Sequence, residues 1–420
     1  MAAASGRVVE RVLRDSSRRL LAFLAARTRD VAAAEDALAD ATRLALETWP
    51  ARGVPEKPEA WLLTVARRRL TDQARHRQVR DAAEPDLLAL NILKATEEAV
   101  EMSSGDMIFP DERLKLLFIC AHPAIDAGAR TPLMLQVVLG LDAARIAAAF
   151  LMQPPAMGQR LARAKSKIRD AGIGFDLPRP SDLPARLGAV LDAVYAAYGS
   201  GWADPIAAGE QTGLAAEAID LGRLLLQLMP DEPEGLGLVA LMLFSAARRQ
   251  ARRDADGNYV PLSEQDTSRW SLPLIAEAND LLRRAERQEQ PGRYQLEAAI
   301  QSLHCARAFT GSTDWAAIAW LYDGLVTIAP SIGALVSRAA AQAEAQDAAA
   351  GWAALQAIPA DLVSGYQPYW AVAAHLLTCL QRTDTARAAY ARAIDLAHDP
   401  AERRFLAERA AALPGNPASR

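Results

Sequence analysis

The chain has 420 residues and a formal net charge of −4 at pH 7, with 51% hydrophobic and only 6% aromatic residues. Its length predicts two or three domains, and its composition favours packed helices. The longest apolar run, 236–247, is too short to span a bilayer, the first 15 residues lack a signal-peptide core, and the three cysteines form no disulfide framework. These features exclude a membrane-spanning or disulfide-stapled secreted protein and predict a cytoplasmic, all-α one.

The first predicted helix covers residues 31–49 and is acidic on its polar side. Apolar residues recur at helical spacing from Val31 to Trp49, whereas Glu35, Asp36 and Asp40 lie outside that face. Taken alone, this pattern is typical of a solvated amphipathic helix. Beside a basic helix, the acidic side would suit binding to a protein.

The second predicted helix, 58–80, is strongly basic. Its apolar stripe runs from Trp61 to Ala74, and between its first and last arginines, Arg67 and Arg80, the only acidic residue is Asp72. Positive charge concentrated on one helix of an acidic chain indicates a nucleic-acid-binding surface. The segment that follows, 81–112, carries nine acidic residues against Lys94 alone, which predicts a self-repelling linker.

Residues 141–169 predict a helix-turn-helix. A short apolar helix is followed by Pro154 and Pro155, which can open a new helix because their missing N–H groups are not needed there. The second helix has apolar residues on one face and cations on the other, as a DNA-recognition helix requires. The alternative is a core helix with a solvated basic face. A Gly- and Pro-rich segment at 172–184 ends this domain, which covers 113–175, and its last part, 176–184, is the predicted linker.

The second half of the chain, 185–420, shows a weak repeat. The offsets of Ala218, Leu225 and Pro230 fit the second helix of a tetratricopeptide repeat, and similar sets recur near residues 322–330 and 386–393. Stacked repeats of this kind leave a concave surface for a peptide or protein. Residues 248–270 are predicted to be an insertion.

Enzyme and metal patterns are weak throughout. The segment 254–258 begins like a calcium loop, but Tyr259 stands where glycine is required. The pairs His375/Cys379 and His304/Cys305 fit buried structural residues better than a zinc site. Cys120 and His122 lack a third orienting group. The sequence therefore predicts a non-enzymatic protein with no cofactor and no metal.

The order of an AED…D acidic helix, a basic helix bearing Trp61 and Leu62, and a basic helix-turn-helix resembles the extracytoplasmic-function sigma factors of bacterial RNA polymerase. The resemblance covers roughly residues 7–180. The segments DERLKLLFICAHPAIDAGARTPLMLQVVLGL and PDEPEGLGLVALMLF are similar to a subgroup with a tetratricopeptide-like C-terminal extension.

This resemblance implies the roles of individual residues. Residues that bind core polymerase, at the clamp helices of the β′ subunit, are Glu35, Asp36 and Asp40. Residues implied at the −10 element, where strands are opened, are Trp61, Arg67, Arg68, Asp72 and Arg75. Residues implied in the −35 groove are Met157, Gln159, Arg160 and Arg163, with Lys165 and Lys167 on phosphates. The acidic linker would thread toward the active-site and RNA-exit channels of polymerase, whose β and β′ subunits are the implied partners, and the alternative is a solvated spacer.

The resemblance also divides the chain into a −10 and core-binding domain at 1–80, the linker, the helix-turn-helix domain and the extension. Thr42 and Arg145 depart from common family residues, which leaves the sigma interpretation intact. In the insertion of the extension, Asp256, Tyr259 and Trp270 are expected to make a regulatory contact, and the alternative is a loop that merely caps the array. The repeat domain is expected to dock on the sigma domains, on polymerase or on an unknown protein. Two alternatives remain: a helix-turn-helix repressor or activator with a ligand-sensing repeat domain, and a repeat scaffold with merely solvated basic helices.

Overall fold

The computed structural model describes residues 16–80, 111–150, 152–200 and 208–414. These residues form α-helices and short 3-10 turns, and their only β-type pairing is an isolated bridge between Arg253 and Tyr259. The predicted all-α fold is therefore confirmed. Within the same residues, no helix combines the length and apolarity needed to cross a membrane.

The chain divides into two compact units, residues 1–197 and 198–420. The first unit contains α1 (16–28), α2 (Val31–Arg52), α3 (Pro58–Arg80), α4 (Arg113–Cys120), α5 (Ala127–Val137), α6 (Ala143–Ala149), α7 (Pro154–Asp170) and most of α8 (Pro184–Ser200). The predicted linker at 176–184 lies inside this unit, where residues 180–182 form a 3-10 turn.

Local sequence explains where α2 begins and ends. The Asp30 carboxylate caps the helix by accepting a hydrogen bond from the Ala33 N–H at 3.0 Å. Gly53 ends it with a φ of 85°, a conformation that favours glycine, and its N–H bonds the Trp49 carbonyl. The buried face is mostly alanine, which lets α2 and α3 approach closely.

The helix-turn-helix forms where the pattern predicts it. Asp142 caps α6 by accepting a hydrogen bond from the Arg145 N–H at 2.8 Å. Helix α7 begins at Pro154, as the missing N–H groups allow. The buried side chains of α7 recur at helical spacing: Met157, Leu161, Ala164 and Ile168.

The second unit is a succession of helices, each packed mainly on its neighbours in the chain. Its helices are α9 (Ala208–Leu228), α10 (Pro233–Ala247), α11 (Leu272–Glu286), α12 (Arg293–Thr310), α13 (Trp315–Ile328), α14 (Ile332–Ala345), α15 (Ala348–Gln356), α16 (Ala360–Val363), α17 (Gln367–Cys379), α18 (Thr383–Leu396) and α19 (Pro400–Ala411). Helix α10 is the centre of the core. A Cβ on its Gly237 would lie 2.6 Å from the backbone N of Gln295, so only glycine permits the observed approach of α10 to α12.

The insertion at 248–270 is fastened to two distant helices of the second unit. Arg307 of α12 donates hydrogen bonds to the Leu262 carbonyl at 2.8 Å and to the Gln265 carbonyl at 2.9 Å. Arg409 of α19 pairs with Glu264 at 2.5 Å. The insertion is thus an internal strap that ties the last helix of the unit to its middle.

Buried His304 in α12 makes the stability of the second unit sensitive to acid. Its ring packs edge-on against Trp315, with ring centroids 5.4 Å apart. Burial, reinforced by Arg248 and Arg307, lowers the pKa of His304 from 6.5 to about 4. The unfolded chain therefore binds a proton below pH 6.5 that the folded chain takes up only near pH 4. Stability from the neutral imidazole is present above pH 6.5 and is lost as the pH falls toward 4.

We expect His304→Gln to weaken this pH dependence. Between pH 7 and pH 5 the wild-type chain should lose about 2 kcal/mol more unfolding free energy than the variant, since one pKa unit corresponds to about 1.36 kcal/mol. Urea unfolding at the two pH values measures this difference, and the comparison cancels carboxyl titrations common to both proteins. His375→Gln, at an exposed histidine, is the control. An equal loss for wild type and His304→Gln would contradict the prediction.

Candidate polymerase and nucleic-acid interface

The three acidic residues predicted to bind polymerase have different surroundings on α2. Asp36 is exposed and makes no ion pair with any residue in the described part of the chain. Asp40 is half-buried and lies 3.6 Å from Arg43 and 3.9 Å from Arg69. Glu35 is paired with Lys165 of α7 at 2.5 Å. Of the three, Asp36 is the carboxylate available to a partner protein.

The basic helix α3 presents only some of its predicted residues. Arg68 and Asp72 are exposed, whereas Trp61 is half-buried and packs edge-on against Trp49 with ring centroids 5.4 Å apart. The Arg75 side chain lies outside the described residues. The Trp61 side chain is therefore partly accessible to solvent. It lies on the side of α3 that packs on α2, and the exposed Arg68 lies on the same helix.

Arg67 has a different environment from the one expected. Its guanidinium lies 5.2 Å from the centroid of the Phe23 ring, on which Arg27 also stacks at 3.9 Å. Burial, followed by the charge of Arg27, lowers the pKa of Arg67. Arg67 therefore packs against α1 and helps to join α3 to α1, and it also stays a predicted DNA contact.

On α7, three polar residues form a solvent-exposed stripe at spacings of four: Gln159, Arg163 and Lys167. We call this set the α7 stripe. Arg160 is half-buried, and its Nη1 donates to the Gly128 carbonyl at 3.3 Å. Met157 is 0% exposed, so the expectation that it faces a DNA groove is wrong. It belongs to the apolar face that anchors α7 to its own domain.

The remaining cations of α7 face the acidic helix. Lys165 pairs with Glu35, and Arg169 Nη1 lies 4.0 Å from Asp30 Oδ2. Sequence reasoning assigned Lys165 to phosphate and Glu35 to polymerase, and it missed Asp30 altogether. The two partners of the first pair are 130 positions apart, so no local spacing signals their contact.

The residues expected to make a regulatory contact in the insertion differ in accessibility. Asp256 is exposed. The Tyr259 ring packs edge-on against Phe405 at 5.4 Å, and burial, followed by the charge of Glu402, raises its pKa. Trp270 is only 4% exposed and lies under Arg307. Trp270 is therefore a packing residue of the strap, which corrects its predicted role as a contact for a partner.

The weak catalytic and metal patterns find no support in the geometry. Burial raises the pKa of the Cys120 thiol to about 12, so it stays protonated at neutral pH. Cys379 Sγ lies 3.8 Å from His375 Nε2 on the surface of α17, without a third group. Across the described ranges, no three His, Cys, Asp or Glu side chains are grouped to hold a metal ion.

Comparison with known proteins gives two family matches. Residues 12–80 match sigma-70 region 2, and residues 186–286 match a family of unknown function, DUF6596. An uncharacterised protein of Rhizobium meliloti (strain 1021), R00370, is 37% identical over 392 residues, which are 93% of this chain and 92% of the relative. No solved structure matches the chain.

The all-α first unit, with an exposed acid on α2 and a basic α3 inside the region 2 match, defines a transcription factor of the sigma type. The chain therefore contains a sigma-70 region 2 domain, and it belongs to the same family as its uncharacterised Rhizobium relative. The region 2 match implies binding to core RNA polymerase and promoter DNA, and a role in transcription initiation.

Proposed function

We propose that this protein is an extracytoplasmic-function sigma factor with a regulatory helical-repeat extension. In this proposal residues 1–80 bind core polymerase and the −10 element, residues 113–175 recognise the −35 element, and residues 185–420 form a tetratricopeptide-like array. Segment 81–112 is the acidic linker that enters the polymerase channels between β and β′. Residues 176–184 join the helix-turn-helix domain to the array.

The observation that carries the proposal is the α7 stripe, in a chain that also contains region 2. Two turns of helix offer an amide, a guanidinium and an ammonium group to solvent. Arginine and glutamine form bidentate hydrogen bonds with base edges in the major groove, whereas lysine neutralises phosphate. A recognition helix needs both types of contact.

Asp36 of α2 and Arg68 of α3 supply the other two parts of the mechanism. A carboxylate that is exposed and unpaired costs little to bring against a basic protein surface, such as we propose on the β′ clamp helices. The exposed arginine side of α3 neutralises phosphates, and Trp61 provides a stacking face for an unpaired base. Capturing such a base stabilises opened DNA, so the protein promotes melting by binding and carries out no chemistry.

The direct test is transcription with the purified full-length chain. Added to core polymerase and a library of genomic fragments from the same bacterium, it should co-elute with the enzyme and produce transcripts that core polymerase alone does not. The start sites should share two sequence elements, near −35 and −10. DNA binding without co-elution would instead identify a helix-turn-helix repressor or activator and contradict the proposal.

A further inference from the structure

A buried arginine that directly follows α10 lacks a partner for part of its guanidinium. Arg248 is only 8% exposed. Its Nε donates to the Phe244 carbonyl at 3.3 Å and its Nη2 donates to Gln301 Oε1, but its buried Nη1 has no hydrogen-bond partner. Nearly all buried polar groups of native proteins are hydrogen-bonded, so this nitrogen is a donor that a ligand can use.

A second arginine, Arg307 of α12, adds positive charge to the same region. Its Nη atoms donate to three neutral acceptors of the strap, the carbonyls of Leu262, Ser263 and Gln265. Burial lowers the pKa of Arg248, and Arg307 is one of the cations that lower it further, so the two charges act on each other. Among the residues that the structure describes, neither arginine forms an ion pair with a carboxylate.

An unpartnered indole lies at the same place. The strap begins at Arg248 and ends at Trp270, and a hydrogen bond from the Ser271 N–H to the Ala247 carbonyl, at 2.9 Å, joins its two ends. The Trp270 ring lies under Arg307, and its buried Nε1 has no hydrogen-bond partner. Two unused N–H donors and two guanidinium charges therefore lie where the strap closes on α12.

The titratable side chains beside the two arginines do not neutralise them. Burial raises the pKa of the Cys305 thiol, which stays protonated at neutral pH. Burial, followed by the charges of Arg248 and Arg307, lowers the pKa of His304 to about 4, so its imidazole is neutral as well. The base of the strap therefore carries a net positive charge in a buried environment, where an unpaired cation is costly and a bound anion would offset that cost.

We propose that Arg248, Arg307 and the Trp270 N–H bind a small oxyanion, a phosphate or carboxylate group, at the base of the strap. A guanidinium nitrogen donates a charge-assisted hydrogen bond to an oxygen of either group, and an indole N–H can donate to another oxygen. Because Arg248 is almost fully buried, the ligand is small and enters through a local opening of the packing. The site lies within the second unit, so it does not depend on the proposed sigma function.

The site is tested by urea unfolding of the full-length chain at pH 7 in sodium phosphate, sodium acetate or sodium chloride at equal ionic strength. A ligand that binds only the folded chain stabilises it, so the unfolding midpoint should rise saturably, with half the effect near roughly 1 mM anion. Saturation by acetate assigns the site to carboxylates, and saturation by phosphate alone assigns it to phosphate groups. Arg248→Met should abolish the response, whereas Arg249→Met, the same change of charge at an exposed neighbour, should keep it.

No saturable response, an equal response in chloride, or equal responses of Arg248→Met and Arg249→Met would show an adventitious ion only and overturn the site. A second measurement leaves Arg248 in place. A bound anion offsets the two cations, so phosphate or acetate should raise the pKa of His304 above about 4 in proton NMR of the histidine rings. His304→Gln identifies the signal, and exposed His375 should not respond. An unmoved His304 would place any bound anion elsewhere and refute the proposal.

Discussion

Asp36→Arg should lower the affinity of the protein for core RNA polymerase about 100-fold, which corresponds to roughly 2.7 kcal/mol. The reason is that α2 then presents a cation where the proposed β′ surface expects a carboxylate, and like charges brought together at an interface cost several kcal/mol. Asp36 is exposed and has no ion-pair partner in the described part of the chain, so its replacement should leave the fold intact. Titration of labelled protein with core polymerase at moderate salt measures the loss.

The matched control is Asp176→Arg, an equally exposed acid of the first unit that lies outside α2. It makes the same change in net charge and should leave the affinity within about twofold of wild type. Asp40→Arg is a less direct probe, because it also removes contacts with Arg43 and Arg69. If Asp36→Arg and Asp176→Arg bind core polymerase equally well, α2 does not contact polymerase through Asp36.

The sequence predicted those features of the fold that depend on local patterns. The apolar spacing from Met157 to Ile168, together with Pro154, located α7 and its buried face, because helix periodicity and proline stereochemistry act within one or two turns. The same spacing marks Met157 as a core residue. The assignment of Met157 to DNA came from the family resemblance. The apolar spacing indicated a buried residue instead, and the structure agrees with the spacing.

Features that depend on distant contacts were beyond the sequence. Lys165 and Glu35 are residues that usually lie on the surface, and nothing in their neighbouring sequence indicates that they form an ion pair with each other. The strap at 248–270 was recognised as an insertion, but its attachment by Arg307 and Arg409 depends on how the second unit brings α12 and α19 toward it. For the same reason Trp270 could not be distinguished from a solvent-exposed contact residue before its packing was known.

The exposure of three residues of α7 agrees with their predicted contact with DNA, which stays a prediction. Gln159, Arg163 and Lys167 were among the residues assigned to DNA, and all three are exposed on one side of α7. Arg160 was assigned with them, but its guanidinium also bonds the first turn of α5 through the Gly128 carbonyl. This bond makes Arg160 a poorer probe of base recognition than Arg163, because its removal would disturb the helix-turn-helix itself.

Arg163→Ala and Lys167→Ala should weaken promoter binding in two different ways. Arg163 is exposed in the middle of the α7 stripe, and we propose that it contacts a base edge. Its loss should cost roughly 1–3 kcal/mol at the preferred −35 sequence and much less on unrelated DNA. Lys167 lies one turn further along, and we propose that it contacts phosphate. Its loss should weaken binding evenly across sequences and reduce the slope of log K against log salt by about 1.

These two outcomes are separated by titrating holoenzyme onto matched and mutated −35 fragments over a series of salt concentrations. Arg283→Ala, an exposed arginine of the second unit, controls for the loss of one positive charge. A contact with a base edge depends on the DNA sequence, whereas a contact with phosphate does not. The decisive quantity is therefore the ratio of the affinities for the matched and the mutated −35 fragment. If Arg163→Ala leaves that ratio unchanged while lowering both affinities equally, Arg163 contacts the backbone and the base reader lies elsewhere on the stripe.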